Sequence, residues 1–290
     1  MENRNWHDRN YKKLLLLPLV LLLFSIGYLI YFNSTTGDFV KKDISLTGGT
    51  SITVYDKIDV LDLQNSLADK LPDLNVREIY EITTGEQKAV IIETTLDGDS
   101  AKNIVEEYVG YSLVEGENSD FEFTGSILSE AFYKQLLLAI LIAFAFMAIV
   151  VFILFKTVVP STAVIISAFA DILMTLVTFN LFGMKMSTAG IVAFLMLIGY
   201  SVDTDILLTT RMLKRSEGSL NSRIFGSMKT GMTMTLTSFF AFLVALFVVR
   251  SFSIVLTQIF TILVIGLAFD LLNTWVTNVS ILKWYVEAKK

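Results

Sequence analysis

Two aspartates, Asp203 and Asp205, sit in the stretch Gly199-Tyr200-Ser201-Val202-Asp203-Thr204-Asp205, which runs on to Arg211 inside an apolar segment that starts near Ser187. A carboxylate at the centre of a bilayer costs about 2.5–3.5 kcal/mol on insertion scales. A chain carries two such groups only where they face protein, water or a cation. On a helix these two project about 200° apart, so one faces the bundle and the other meets a different neighbour. Asp171 shares a helix face with Thr175 and Thr178. Asp270, Asn273, Thr274 and Thr277 form a further polar stripe, and Thr230, Thr233 and Thr237 follow one another on one face around Lys229. A threonine in a membrane helix often bonds only its own i−4 carbonyl. An asparagine can simply join helices. An aspartate can be one half of an ion pair near the interface, and Arg211 is the cation nearest to Asp203 and Asp205 in sequence. A buried carboxylate with no cation, in contrast, can take up and release a proton. Acids on three helices of one bundle therefore suggest a proton or cation pathway through Asp203, Asp205, Asp171 and Asp270, with Thr204 and Asn273 beside them.

Ordinary catalysis finds little support. The chain has no Walker A loop, no H-E-x-x-H and no serine–histidine pairing. Gly48-Gly49 is too short for a phosphate loop. There is no cysteine, and the single histidine, His7, lies in a polar tail. An aspartyl protease would need two converging acids, such as Asp203 with Asp270, which sequence alone does not bring together. The expectation is a protein that is not an enzyme, with no cofactor, no metal and no nucleic-acid partner.

The elements that must position these groups are apolar runs. Of the 290 residues 53% are hydrophobic and the mean hydropathy is +0.62. Six runs are long enough to span a bilayer: 14–32, 136–155, 158–182, 188–210, 231–249 and 254–283. The first is too long for a signal-peptide core and is kept as an anchor. Lysines and arginines cluster in the N-terminal tail, after the fourth run and in the C-terminal tail, which places both termini in the cytoplasm. The expected division is a cytoplasmic tail 1–13, helix one 14–32, an extracytoplasmic domain 33–134, helices two to six across 135–283, and a tail 284–290. Within 33–134 the pattern reads strand (Ile44–Tyr55), helix (Val60–Leu71), strand (Val76–Thr83), strand (Ala89–Thr95), helix (Asp99–Tyr111) and strand (from Phe121). That β-α-β-β-α-β order predicts a ferredoxin-like α+β domain. Leu220, Ile224, Phe225 and Met228 fall at helical spacing beside Arg223 and Lys229, predicting an interfacial amphipathic helix near 218–229. A lone six-span half would leave the polar faces of spans four and six towards lipid, so a partner bundle is expected to cover them.

Three stretches carry a resemblance to the SecD/SecF family of protein-export membrane proteins and its RND superfamily. Leu46-Thr47-Gly48-Gly49-Thr50 after Asp43 is similar to the family's D-F-x-G-G-T element. The Gly199–Asp205 stretch is similar to its G-Y-S-[IV]-[ND]-[DT] element. Lys229-Thr230 with the threonine row is similar to its R-T-x-x-T-S-x-T-T element, with lysine in place of arginine. The set resembles archaeal SecF members. The resemblance implies an RND-like half of six helices, a SecD-like six-span partner, the SecYE channel, a translocating polypeptide and the surrounding lipid as contacts, and export driven by the proton gradient. It also points to Asp203 as the interior acid, leaving Asp205 to pair with Lys229 or Arg211. Two rival readings are an RND-type half-transporter for a lipid or small molecule, and a membrane assembly scaffold.

Overall fold

A computed structural model describes residues 6–81, 84–214, 219–251 and 253–289. The expected strand end at Ile82–Thr83 and the cations Arg4 and Arg215 lie outside the described residues. The chain opens with α1 (Trp6–Leu14) and α2 (Leu16–Thr36). The break between them falls at Leu15, where Pro18 lacks the N–H that would bond the Leu14 carbonyl. Gly37, at φ 82°, closes α2 by donating its N–H to the Asn33 carbonyl.

An α+β domain follows. The single strand expected over Ile44–Tyr55 begins instead as a short helix, α3 (Ile44–Thr47), because the Asp43 carboxylate accepts from the Ser45 N–H and starts a turn there. Then come β1 (Gly49–Val54), α4 (Val60–Leu67), β2 (Asn75–Tyr80), β3 (Gln87–Thr94), α5 (Gly98–Val109) and β4 (Ser119–Thr124). The sheet order is β2-β3-β1-β4 with every neighbour antiparallel, which is the ferredoxin-like arrangement. Ile52, Val54, Val90 and Ile92 alternate onto one sheet face and bury against Leu63 and Leu67 of α4 and Val105 of α5.

Six helices are long and apolar enough to cross a membrane. After α2 these are α6 (Ser126–Phe155), α7 (Val158–Leu181), α8 (Thr188–Lys214), α9 (Leu220–Val249), and a composite last span. That span is α10 (Ile254–Leu272), a π-helical turn (Asn273–Asn278) and α11 (Val279–Ala288). The segment near 218–229 is not a separate interfacial helix. Ser219 caps the first turn of α9, which continues unbroken into the span. Leu220 and Ile224 bury against Leu208 and Met212 of α8 and Leu282 of α11, which holds this part upright.

Each span reverses direction, so one end of the bundle carries the α+β domain and the other both chain termini. At the domain end, the Asp43 N–H donates to the Met186 carbonyl (2.9 Å) and the Met186 N–H to the Lys41 carbonyl (2.6 Å). The Tyr80 N–H reaches the Ser251 carbonyl at 3.0 Å. The domain therefore rests on both the α7–α8 and the α9–α10 turns.

Candidate functional site

The π turn sets the centre of the bundle. Positions five apart lie about 140° apart on an α-helix, whereas an i→i+5 ladder stacks them on one side. Asn273 and Asn278 can thus both face α7 and α8. The Asn273 amide donates to Asp171 Oδ1 at 2.7 Å, and the Asn278 amide donates to Asp205 Oδ1 at 2.7 Å. Small residues let the helices approach this closely. A Cβ on Gly266 of α10 would collide with the Leu197 side chain of α8, and one on Gly231 of α9 would lie 2.5 Å from the Trp275 ring.

Asp171, Asp205 and Asp270 are completely buried, each at 0% exposure. Asp171 accepts from Ser201 Oγ (2.5 Å) on its second oxygen. Asp270 accepts from Thr204 (3.2 Å), Thr274 (3.1 Å) and Thr235 (3.4 Å). Beside Asp205 lie Ser167 and Thr274. Its Oδ2 nevertheless meets no hydrogen-bond geometry, nor does the Ser167 hydroxyl. Among the described residues no salt bridge reaches any of the three acids. Three carboxyl groups on α7, α8 and α10 are held by neutral donors alone. Such a cluster can store, exchange and pass protons.

The predicted site residues divide sharply. Asp171, Thr204, Asp205, Asp270 and Asn273 come together in the core. Asp203 does not. It is exposed between α8 and α9, in a cavity of about 430 Å³ that Leu207, Arg211 and Met234 also line. The expectation of an interior Asp203 and an interfacial Asp205 is therefore reversed, because the face of α8 bearing Ser201, Thr204, Asp205 and Leu208 packs inward. Arg211 does not pair with Asp205. It donates to the Gly226 carbonyl (2.6 Å) and to Thr230 (3.1 Å), tying α8 to the start of α9. Lys229 is exposed. Thr233 and Thr237 are exposed too and bond their own i−4 carbonyls. Thr235, two residues beyond Thr233, is the α9 hydroxyl that enters the core. The polar stripe of span six also faces inward within this chain, so it does not await a partner. Ser201, Thr235, Asn278 and Ser167 escaped the sequence reading, although Ser201 lies four residues before Asp205 on the same helix face.

In the external-domain motif, Gly48 (φ 82°) and Gly49 (φ 145°) adopt backbone angles that L side chains rarely take. A Cβ on Gly48 would strike the Ser126 backbone at the start of α6, and one on Gly49 the Thr94 carbonyl of β3. The Thr50 hydroxyl donates to the Leu96 carbonyl at 2.7 Å. The motif is a close joint between the domain and α6.

Fold and site together define a multi-pass membrane protein: six spans, an α+β domain between the first two, and carboxyl groups buried at mid-bundle. The family described as protein export membrane protein SecD/SecF, C-terminal, matches residues 105–288. The chain is 38% identical over 291 aligned positions to the protein-export membrane protein SecF of Methanocaldococcus jannaschii, covering 97% of this chain and 99% of that one. It is 36% identical to the SecF of Methanolacinia petrolearia, over 95% of this chain and 94% of that one. Its fold is similar to the crystal structure of SecDF, a translocon-associated membrane protein from Thermus thermophilus, with a TM-score of 0.74 and 17% identity. That likeness covers 98% of this chain but 39% of the longer SecDF chain. The chain belongs to the SecD/SecF family of protein-export membrane proteins.

Proposed function

We propose that this chain is a SecF-like auxiliary subunit of Sec protein export, in which protonation of buried carboxyls drives movement of the external domain. The observation that carries the reading is the trio Asp171, Asp205 and Asp270, fully buried and without a cation among the described residues. Charged groups inside a membrane protein are costly and are kept for function. Loss or gain of a proton there changes which hydroxyl and amide donors are held, and so shifts α8 against α7 and α10. Helix α8 begins at the turn on which the external domain rests, where the Thr188 N–H donates to the Ser45 hydroxyl at 3.0 Å. A shift of α8 thus has a direct line to the domain.

Both termini lie in the cytoplasm and residues 33–134 outside it. A SecD-like six-span partner covers the α8–α9 face, where Asp203 is exposed beside a row of apolar side chains. The assembly works beside the SecYE channel, in lipid, on a chain that is being translocated. The decisive experiment is gradient-driven export in membrane vesicles carrying Asp205→Asn, which keeps shape and hydrogen bonding but removes titration. Export should collapse while the complex still assembles. Full activity of this variant would refute the proton role of Asp205. Cysteines placed singly at Asp97 and Ser216 should react with an impermeant reagent from opposite sides, and reaction of both from one side would refute the topology.

A further inference from the structure

Hydroxyls in these membrane helices generally satisfy themselves locally. Thr162, Thr175, Thr178 and Thr261 each donate to their own i−4 carbonyl. Around Asp205 the pattern fails. Asp205 Oδ2, Asn278 Oδ1, Ser167 Oγ and Thr209 Oγ1 are buried and make no hydrogen bond, and all four residues are 0% exposed. Ser167 stands against the Asp205 carboxyl. Asn278 is bonded to its other oxygen. Thr209 is one turn beyond Asp205 on the same face of α8, towards the end of the bundle that carries the termini.

The four atoms complement one another in a specific way. Two are pure acceptors, a carboxylate oxygen and an amide oxygen. Two are hydroxyls, each with a hydrogen to donate. Hard divalent cations take six to eight oxygen ligands, more than the four oxygens here supply, and a monovalent cation is the rival occupant that the experiment below separates from water. Water donates twice and accepts twice, and buried waters commonly make about three hydrogen bonds to groups of this kind. Leaving such groups unsatisfied would cost about 1–3 kcal/mol each.

We propose that Asp205, Asn278, Ser167 and Thr209 form a buried water site, and that this site is the step through which protons pass between the acid cluster and the end carrying the termini. The second clause rests on the function proposed above. Direction follows from the packing. Both oxygens of Asp171 and of Asp270 already accept hydrogen bonds. Between them and the domain end lies an apolar layer of Phe194, Leu197, Ile262 and Leu263. Leu197 presses on Gly266, which leaves no room for even a Cβ. On α7 the next hydroxyl towards the domain, Thr175, is spent on the Asp171 carbonyl, whereas from Asp205 the row of unpartnered groups leads the other way, to Thr209.

Radiolytic hydroxyl-radical labelling of the full-length protein in its membrane complex tests the site, since radicals formed from a bound water oxidise the side chains next to it. Leu208 and Leu197 are both fully buried leucines of α8 and make a matched pair. Oxidation of Leu208 and of Val279, beside Asn278, should run several-fold faster than that of Leu197. Thr209→Val combined with Ser167→Ala should erase the difference. Equal, background oxidation at all three positions would overturn the site. So would suppression of the Leu208 signal by sodium but not by potassium, which would mark a cation there instead. In export assays Thr209→Val should slow gradient-driven export several-fold and Thr209→Ser should restore it; unchanged export in Thr209→Val would overturn the access role. If labelling fails while Asp205→Asn still abolishes export, the water site is wrong and the proposed function stands. If labelling succeeds while Asp205→Asn exports at the full rate, the water site stands and the proton role of Asp205 is wrong.

Discussion

Two buried acids of this chain have nearly the same number of partners and opposite electrostatics. Glu93, on β3 of the external domain, accepts from the Asn75 amide (2.6 Å) and from the Arg77 guanidinium (2.7 Å). Asp171, in the membrane bundle, accepts from the Asn273 amide (2.7 Å) and the Ser201 hydroxyl (2.5 Å). Exchanging guanidinium for hydroxyl removes the compensating charge. An acid paired with arginine has its charge compensated and works as a structural tie. An acid held by neutral donors remains free to gain and lose a proton. The same side-chain chemistry thus yields a charge-compensated brace in one region and, in the function proposed here, a proton-carrying centre in the other.

The sharpest break between the regions comes from removing titration alone. Asp171→Asn should lower gradient-driven export to below about a tenth of the natural rate, because intramembrane acids of this kind serve function. Glu93→Gln should leave export nearly unchanged. Equal effects on export in vesicles would erase the distinction. Next in size is loss of the charge partner. Arg77→Met leaves the Glu93 carboxylate short of its charge-assisted bond and should destabilise the external domain by about 1–3 kcal/mol, read from thermal unfolding. An unshifted midpoint would show that the pair is not a brace.

A third measurement uses pH at the joint between the regions. Burial pushes the Asp43 carboxyl up from 3.8 to about 6, the Ser45 hydroxyl and N–H oppose this, and Glu93 adds to the rise. A folded pKa above the unfolded one means the stabilisation is complete below about pH 4 and is lost as pH rises through about 6. The joint should therefore be more stable at pH 5 than at pH 8, by on the order of 1 kcal/mol. Asp43→Asn should flatten that dependence while keeping the cap on α3. A natural protein whose unfolding midpoint does not move between these pH values would contradict it. The smallest effect belongs to Thr235→Val, which removes one of several donors to Asp270. It should cost about 1 kcal/mol and reduce export only slightly. A loss as large as that of Asp171→Asn would mean that Thr235 is itself part of the proton route.

Span count and the strand order of the α+β domain were legible in the residues. A bilayer demands about twenty apolar residues per helix, and a half-buried sheet demands alternation, so each signal is local and periodic. Sequence also singled out Asp171, Asp205 and Asp270, which the bundle buries, since a carboxylate within an apolar run is conspicuous wherever it ends up. What it could not decide was rotation. The spacing of Asp203 and Asp205 fixes that they point apart, but not which one points inward. That choice is made by contacts between helices far apart in the chain, such as Leu197 on Gly266 and Trp275 over Gly231. Nor is the π turn written in any short pattern, because widening one turn repays its strain only if Asp171 and Asp205 lie opposite to receive Asn273 and Asn278. Apolar length and period belong to each segment alone. The azimuth of a helix, and with it the identity of the buried acid, belongs to the packed bundle.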